Sequence, residues 1–262
     1  MGTSQTSAFL GVVHYEFAMQ LRRKAMWVGL SMISALLFFI LIVTTGKSPN
    51  TDTPQDALGY MASGLTFLLS IGAGLLLANR IPRDRTLRVE EVLRVTPVSD
   101  SIRLFGKYLG ATLAVSIPIL LIQLAQTAYI ANYFQDGAVF PRSLAMFFTV
   151  TLPALFFVGA FALAFTTFLW PPLFQFLLVG YWVWANGNPD DLPVFTPNGT
   201  LLSANGDYAL KGLFAYDLPS MGLSHTDVTP WLALANLAVI LGLAALALIA
   251  ASGIQSWHYR NA

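Results

Sequence analysis

Side chains able to do covalent or acid–base chemistry are few and scattered in this sequence. Its 262 residues include no cysteine, which excludes a thiol nucleophile, a thiolate metal site and a disulfide framework. The three histidines, His14, His225 and His258, lie in separate polar segments, with no second ligand at metal-binding spacing. Gly106-Lys107 is followed by Tyr108 and lacks the upstream glycine of a Gly-x-x-x-x-Gly-Lys-Ser/Thr phosphate loop. The chain therefore does not bind and hydrolyse ATP by that means. The nearest approach to a catalytic motif is Glu90-Glu91-Val92-Leu93-Arg94, two adjacent carboxylates with an arginine behind them. No histidine in the later apolar segments joins them.

The rest of the chain explains this scarcity. Residues are 56% hydrophobic and only 10% charged, against about 25% charged in an ordinary soluble domain. Long stretches carry no charge, and the charges collect between them. A bilayer core takes about 20 apolar residues to cross as a helix, and in lipid the backbone must satisfy its own hydrogen bonds. Spans are predicted at about 25–45, 57–79, 108–133, 143–169, 172–185 and 231–257. Pro118 is placed to kink the third. The 47 uncharged residues between Arg142 and Asp190 make about 70 Å of helix, enough for two crossings hinged at Trp170-Pro171-Pro172. The start, Gly2 to Ser7, is polar and lacks the pattern of a cleaved signal peptide, so the first span is expected to stay.

Uncharged polar groups do occur inside these spans. Ser116, Gln123 and Thr127 stack at helical spacing in the third, with Gln126 beside them; Gln175 lies in the fifth and Asn236 in the last. The second span carries Gly59, Ser63, Gly64, Ser70, Gly72 and Gly74. Small residues let helices approach, and amides bond across helix interfaces. The functional alternative is that Gln123, Gln126, Thr127 and Gln175 face a translocation path. Interfacial ends aside, the spans contain no Asp, Glu, Lys, Arg or His, which argues against a carrier coupled to ions through a buried carboxylate.

Three segments do not span. Residues 7–24 read as an amphipathic interfacial helix, with Leu10, Val13, Phe17 and Leu21 on one face. Residues 80–107 form a charged segment in which a short helix stops at Pro97 and Ser99 or Asp100 caps the next. Residues 186–230 are rich in Gly, Pro, Asn and Asp and carry a charge of −4. Leu201-Leu202 and Leu210 to Tyr216 are apolar but too short to cross, and suit re-entrant pieces. Eleven of the 14 lysines and arginines fall on one side of a six-span arrangement. By the positive-inside rule both termini are then cytoplasmic and 186–230 is outside.

This order of segments resembles the type 2 membrane subunits of ATP-binding-cassette (ABC) transporters over essentially the whole chain. The most specific stretch is Asp84 to Lys107, with an acidic residue, a short helix, a Thr-Pro-Val-Ser break and Gly-Lys entering the third span. The resemblance implies an all-α integral membrane protein, one transmembrane domain over 1–262, with six spans, an interfacial helix and a cytoplasmic coupling helix. It implies a permease subunit in the cell membrane, binding neither ATP nor Mg²⁺ itself, since a pair of partner ATPase subunits binds both. A second permease subunit completes a homo- or heterodimer in the bilayer, and no nucleic acid is involved. Asp84, Arg85, Arg88, Glu90, Glu91 and Arg94 would belong to the ATPase-docking helix, and the second and fifth spans would wall the path. Only about a dozen polar residues separate the first two spans, which favours export of a small, lipophilic or lipid-linked molecule over capture of a large one outside. Two alternatives come from other classes. One is a membrane scaffold that recruits a cytoplasmic partner through the basic loop. The other is a membrane-embedded protease of the CAAX type, although Glu90 to Arg94 is one residue short of the Glu-Glu-x-x-x-Arg spacing.

Overall fold

The computed structural model describes residues 2–45, 51–82, 98–187, 195–216, 223 and 227–261. Every regular element among them is helical. The helices are α1 (Gly2–Leu21), α2 (Lys24–Thr44), α3 (Pro54–Ala78), α4 (Asp100–Phe134), α5 (Val139–Met146), α6 (Leu152–Phe165), α7 (Pro171–Ala185), α8 (Asp207–Phe214) and α9 (Pro230–Asn261). Local chemistry explains their ends. Thr53 caps α3 by accepting from the Asp56 amide at 3.2 Å, with Pro54 at the first helical position. Ser99 caps α4 through the Ile102 amide at 3.3 Å. Trp170 precedes α7, whose first turn begins with proline.

Among the described residues, five helices are long and apolar enough to cross a membrane: Lys24–Thr44, Pro54–Pro82, Ser101–Phe134, Val139–Phe165 and Pro230–Gln255. The fifth of the six expected crossings falls on α7, which has 15 residues and is shorter than the about 20 that a crossing takes. Pro118 lies inside α4 without ending it. The stretch from α5 to α6 runs on through a π-helical turn at Phe147–Thr151. Pro153 follows one residue later; it cannot donate to the ladder and its ring crowds the preceding turn, and a wider turn there absorbs the mismatch.

Helix α3 is the axis of the bundle. In its most apolar stretch 61% of residues are buried, as in the stretch from α5 to α6, against 22% in α2 and 28% in α9. It packs on α2, α4, α6 and α7. Glycines make this possible: a Cβ at Gly74 would overlap Leu178 of α7 and Val158 of α6, and one at Gly59 would overlap the Tyr216 ring. Short α7 hangs on α3 by two side-chain bonds, Trp182 Nε1 to the Phe67 carbonyl at 3.0 Å and Gln175 Nε2 to the Leu75 carbonyl at 3.2 Å. Helices α2, α7 and α9 turn rows of large apolar residues outward, Met32, Leu36 and Phe39 on α2 and Phe176, Val183 and Trp184 on α7 among them. Outward apolar faces of this extent suit lipid or another apolar surface.

Candidate functional site

Three places in the bundle concentrate polar groups, and each depends on several elements. The first lies where α1 meets the chain ends that flank residues 83–97. Glu16 and Arg80 form a bidentate ion pair, Nε to Oε2 at 2.7 Å and Nη2 to Oε1 at 2.9 Å, with both side chains 4% exposed. Such a pair holds only where the geometry lets each charge replace its lost water. Helix α1 also has its most extensive packing on α4. A Cβ at Gly106 would meet Val12, and one at Gly110 would meet Val13 and Glu16. On α4, Arg103 Nη2 donates to the Val98 carbonyl at 2.8 Å. Helix α1 thus holds the chain at Arg80, before residue 83, and at Gly106 and Gly110 of α4, after residue 97.

The inward face of α1 differs from the expected apolar one. Glu16 and Gln20 are buried while Leu10 is 59% exposed. Arg80 is the reason, because its buried guanidinium requires the carboxylate to face inward. Asp84, Arg85, Arg88, Glu90, Glu91 and Arg94 lie outside the described residues, as does the short helix expected there.

The second place is a buried polar cluster between α3, α4 and the α5–α6 stretch. Gln123 Nε2 donates to the Ser143 carbonyl at 2.8 Å, and the Thr127 and Ser143 hydroxyls are 2.6 Å apart. Thr151, in the π turn, donates to Gln123 Oε1 at 3.5 Å and lies 3.1 Å from the Thr66 hydroxyl. All five side chains are buried. Two of the four predicted path residues, Gln123 and Thr127, therefore act here as ties between helices. Gln175 is the α7 tie to α3 already described.

The fourth, Gln126, belongs to the third place. A cavity of about 280 Å³ lies at the end of the bundle opposite α1, lined by Leu37 and Leu41 of α2, Tyr60, Met61 and Phe67 of α3, and Gln126. Asn186, Asn205 and Asp207 close it. Gln126 Nε2, Asn186 Oδ1 and Asn205 Oδ1 are buried without a hydrogen-bond partner among the described residues. Asp207 is 2% exposed, and Asn205 Nδ2 donates to its Oδ1 at 3.4 Å. Burial pushes its carboxyl from the ordinary range up to about 6, the Asn205 bond offsetting part of the rise. Nearby, burial raises the Tyr216 hydroxyl, with Asp56 and Tyr60 adding to the rise.

Sequence reasoning placed Gln126 but missed Asp207, Asn186, Asn205, Arg80 and Glu16 as partners in sites. Asp207 reads as one more acidic loop residue, since the signal that sets it apart is burial by distant helices. The segment holding it is pinned to α9, where Asn236 Nδ2 donates to the Leu201 and Ser203 carbonyls at 3.0 and 2.9 Å.

Among known proteins, the chain matches the family model described as ABC-2 family transporter protein over residues 43–183, more than half of its length. No match was found among curated proteins.

Proposed function

The chain belongs to the ABC-2 family of transporter proteins, and from that membership we propose that it is the membrane-spanning permease subunit of an ABC exporter, driven by separate ATPase subunits. It crosses the bilayer six times, with both termini cytoplasmic and α7 as the short fifth crossing. Residues 84–96 dock on the ATPase, which binds ATP and Mg²⁺. Two permease subunits form the path between them.

The observation that carries this reading is the grip of α1 on both chain ends that flank residues 83–97, through Glu16–Arg80 on one side and the Gly106–Gly110 face of α4 on the other. A partner that pushes on the intervening segment would act on α1, α3 and α4 together. Those three helices would tilt as one body when the ATPase pair closes, switching the path between its two openings. A scaffold has no need for so stiff a mounting.

The test is purification of the solubilised protein from its native membrane, with partner subunits identified and ATPase activity measured. Wild type is compared with a variant carrying Arg88→Ala, Glu91→Ala and Arg94→Ala. An ATPase subunit that accompanies wild type and is lost or uncoupled in the variant supports the permease and the docking helix. A nucleotide-independent partner would favour the scaffold. Loss of turnover in Glu90→Gln, with assembly intact, would favour the protease.

A further inference from the structure

The cavity beside Asp207 has the features of a ligand site, and those features select a kind of ligand. Its lining includes the Asp207 carboxylate, Asn205 Oδ1 and Asn186 Oδ1, neither amide oxygen with a partner among the described residues. Buried polar atoms ordinarily find partners, and three without one around a single space, counting Gln126, indicate a group that supplies the missing bonds. Because a side-chain amide offers oxygen or nitrogen according to its rotation, Gln126 serves a ligand in either orientation. The carboxylate and the two amide oxygens are acceptors, so the complementary group is a donor that carries positive charge.

A bare metal ion is a poor match for this lining. Asp207 is its single carboxylate, no group of three metal-ligating side chains occurs among the described residues, and Leu37, Leu41, Met61 and Phe67 offer no ligating oxygen. A space of about 280 Å³ is also far larger than an ion. Tyr60 and Phe67 add aromatic surface, which tolerates an organic cation. Ile40, Tyr60, Ser63 and Gly64 are half-exposed lining residues, so the cavity is open to its surroundings.

We propose that this cavity binds a small amphipathic organic ammonium, its charged nitrogen at Asp207, Asn205 and Asn186 and its apolar body against Leu37, Leu41, Met61 and Phe67. The site is built within one subunit, so binding there requires neither an ATPase nor transport.

The test is titration calorimetry of the full chain in lipid nanodiscs, with empty nanodiscs subtracted. Benzylammonium is the probe and benzyl alcohol its uncharged counterpart of the same shape. Saturable binding of benzylammonium is expected, at least about tenfold tighter than benzyl alcohol and at least about tenfold weakened by Asp207→Asn. Ser63→Met, which fills the space and leaves the carboxylate intact, should abolish binding while the thermal midpoint is retained. This second variant decides the matter if Asp207→Asn does not fold. Absence of saturable binding to wild type overturns the proposal, as does equal affinity for benzyl alcohol. Unchanged binding in a folded Asp207→Asn or Ser63→Met variant also overturns it. Displacement of benzylammonium by millimolar sodium chloride, but not by choline chloride, would assign the cavity to a metal cation and overturn it too.

Discussion

Glu16 of α1 and Arg80, at the far end of the second span, are 64 residues apart in sequence and joined by two hydrogen bonds inside the protein. Neither residue is notable in the sequence, where one sits in a polar lead-in and the other in a basic loop. Their pairing ties α1 to the chain just beyond α3, beside its packing on α4.

Removing one partner takes away both bonds of a buried bidentate pair, and breaking such a pair from one side costs about 3–5 kcal/mol. Glu16→Ala or Arg80→Ala should therefore lower the thermal midpoint of the purified protein sharply. Replacing both by Leu and Met should recover much of the loss, since a buried ion pair is little better than apolar packing. A double variant no more stable than the single ones would show that the pair does not stabilise in this way.

The glycines of α3 and α4 give a second contrast. Gly74→Val forces Leu178 and Val158 apart, and Gly110→Val pushes on the α1 backbone. Each should destabilise by about 1–3 kcal/mol or more, with Gly110→Val also loosening α1 to proteolysis. Gly180 of α7 has nothing within 4 Å of its missing Cβ, so Gly180→Ala should fold as well as wild type. Limited proteolysis and thermal unfolding of the three variants separate these outcomes.

Asp207 supplies a pH dependence with a definite sign. Its carboxyl binds a proton more tightly in the folded protein, with the value raised from 3.8 to about 6. The folded state is thus favoured by this group below the unfolded value, and that advantage is lost as pH rises through about 6. Between those values the change amounts to about 3 kcal/mol. Asp207→Asn should be the more stable form at pH 7.5 and should lose this part of the pH dependence between pH 4 and 7. Thermal midpoints of both proteins across that range check it.

The cluster around Gln123 should behave as a tie. Gln123→Leu removes the bonds to Ser143 and Thr151 but leaves Thr127 and Ser143 bonded to one another. A loss of about 1 kcal/mol is expected, in line with polar contacts between membrane helices. Thr66→Val, at the other end of the cluster, should cost less when combined with Gln123→Leu than the two single losses suggest, because both act through Thr151. Unfolding of the single and double variants measures that coupling.

What the sequence determined by itself is where helices form and end. Ser99 announces a helix start, and Trp170-Pro171-Pro172 divides a 47-residue uncharged run, because capping, proline geometry and the apolar length of a helix are local properties. The amides of the third span were also visible as a stripe. Which partner each would meet was not: Gln123 ties α4 to its neighbours, while Gln126, less than one turn further on, lines a cavity. The inward turn of Glu16, the burial of Asp207 and the shortness of the Gly74 contact arise from residues far apart in the chain. Tertiary structure decided these, because the worth of a charge, an amide or a missing Cβ depends on what the fold sets against it, and along the chain that neighbour is tens of residues away.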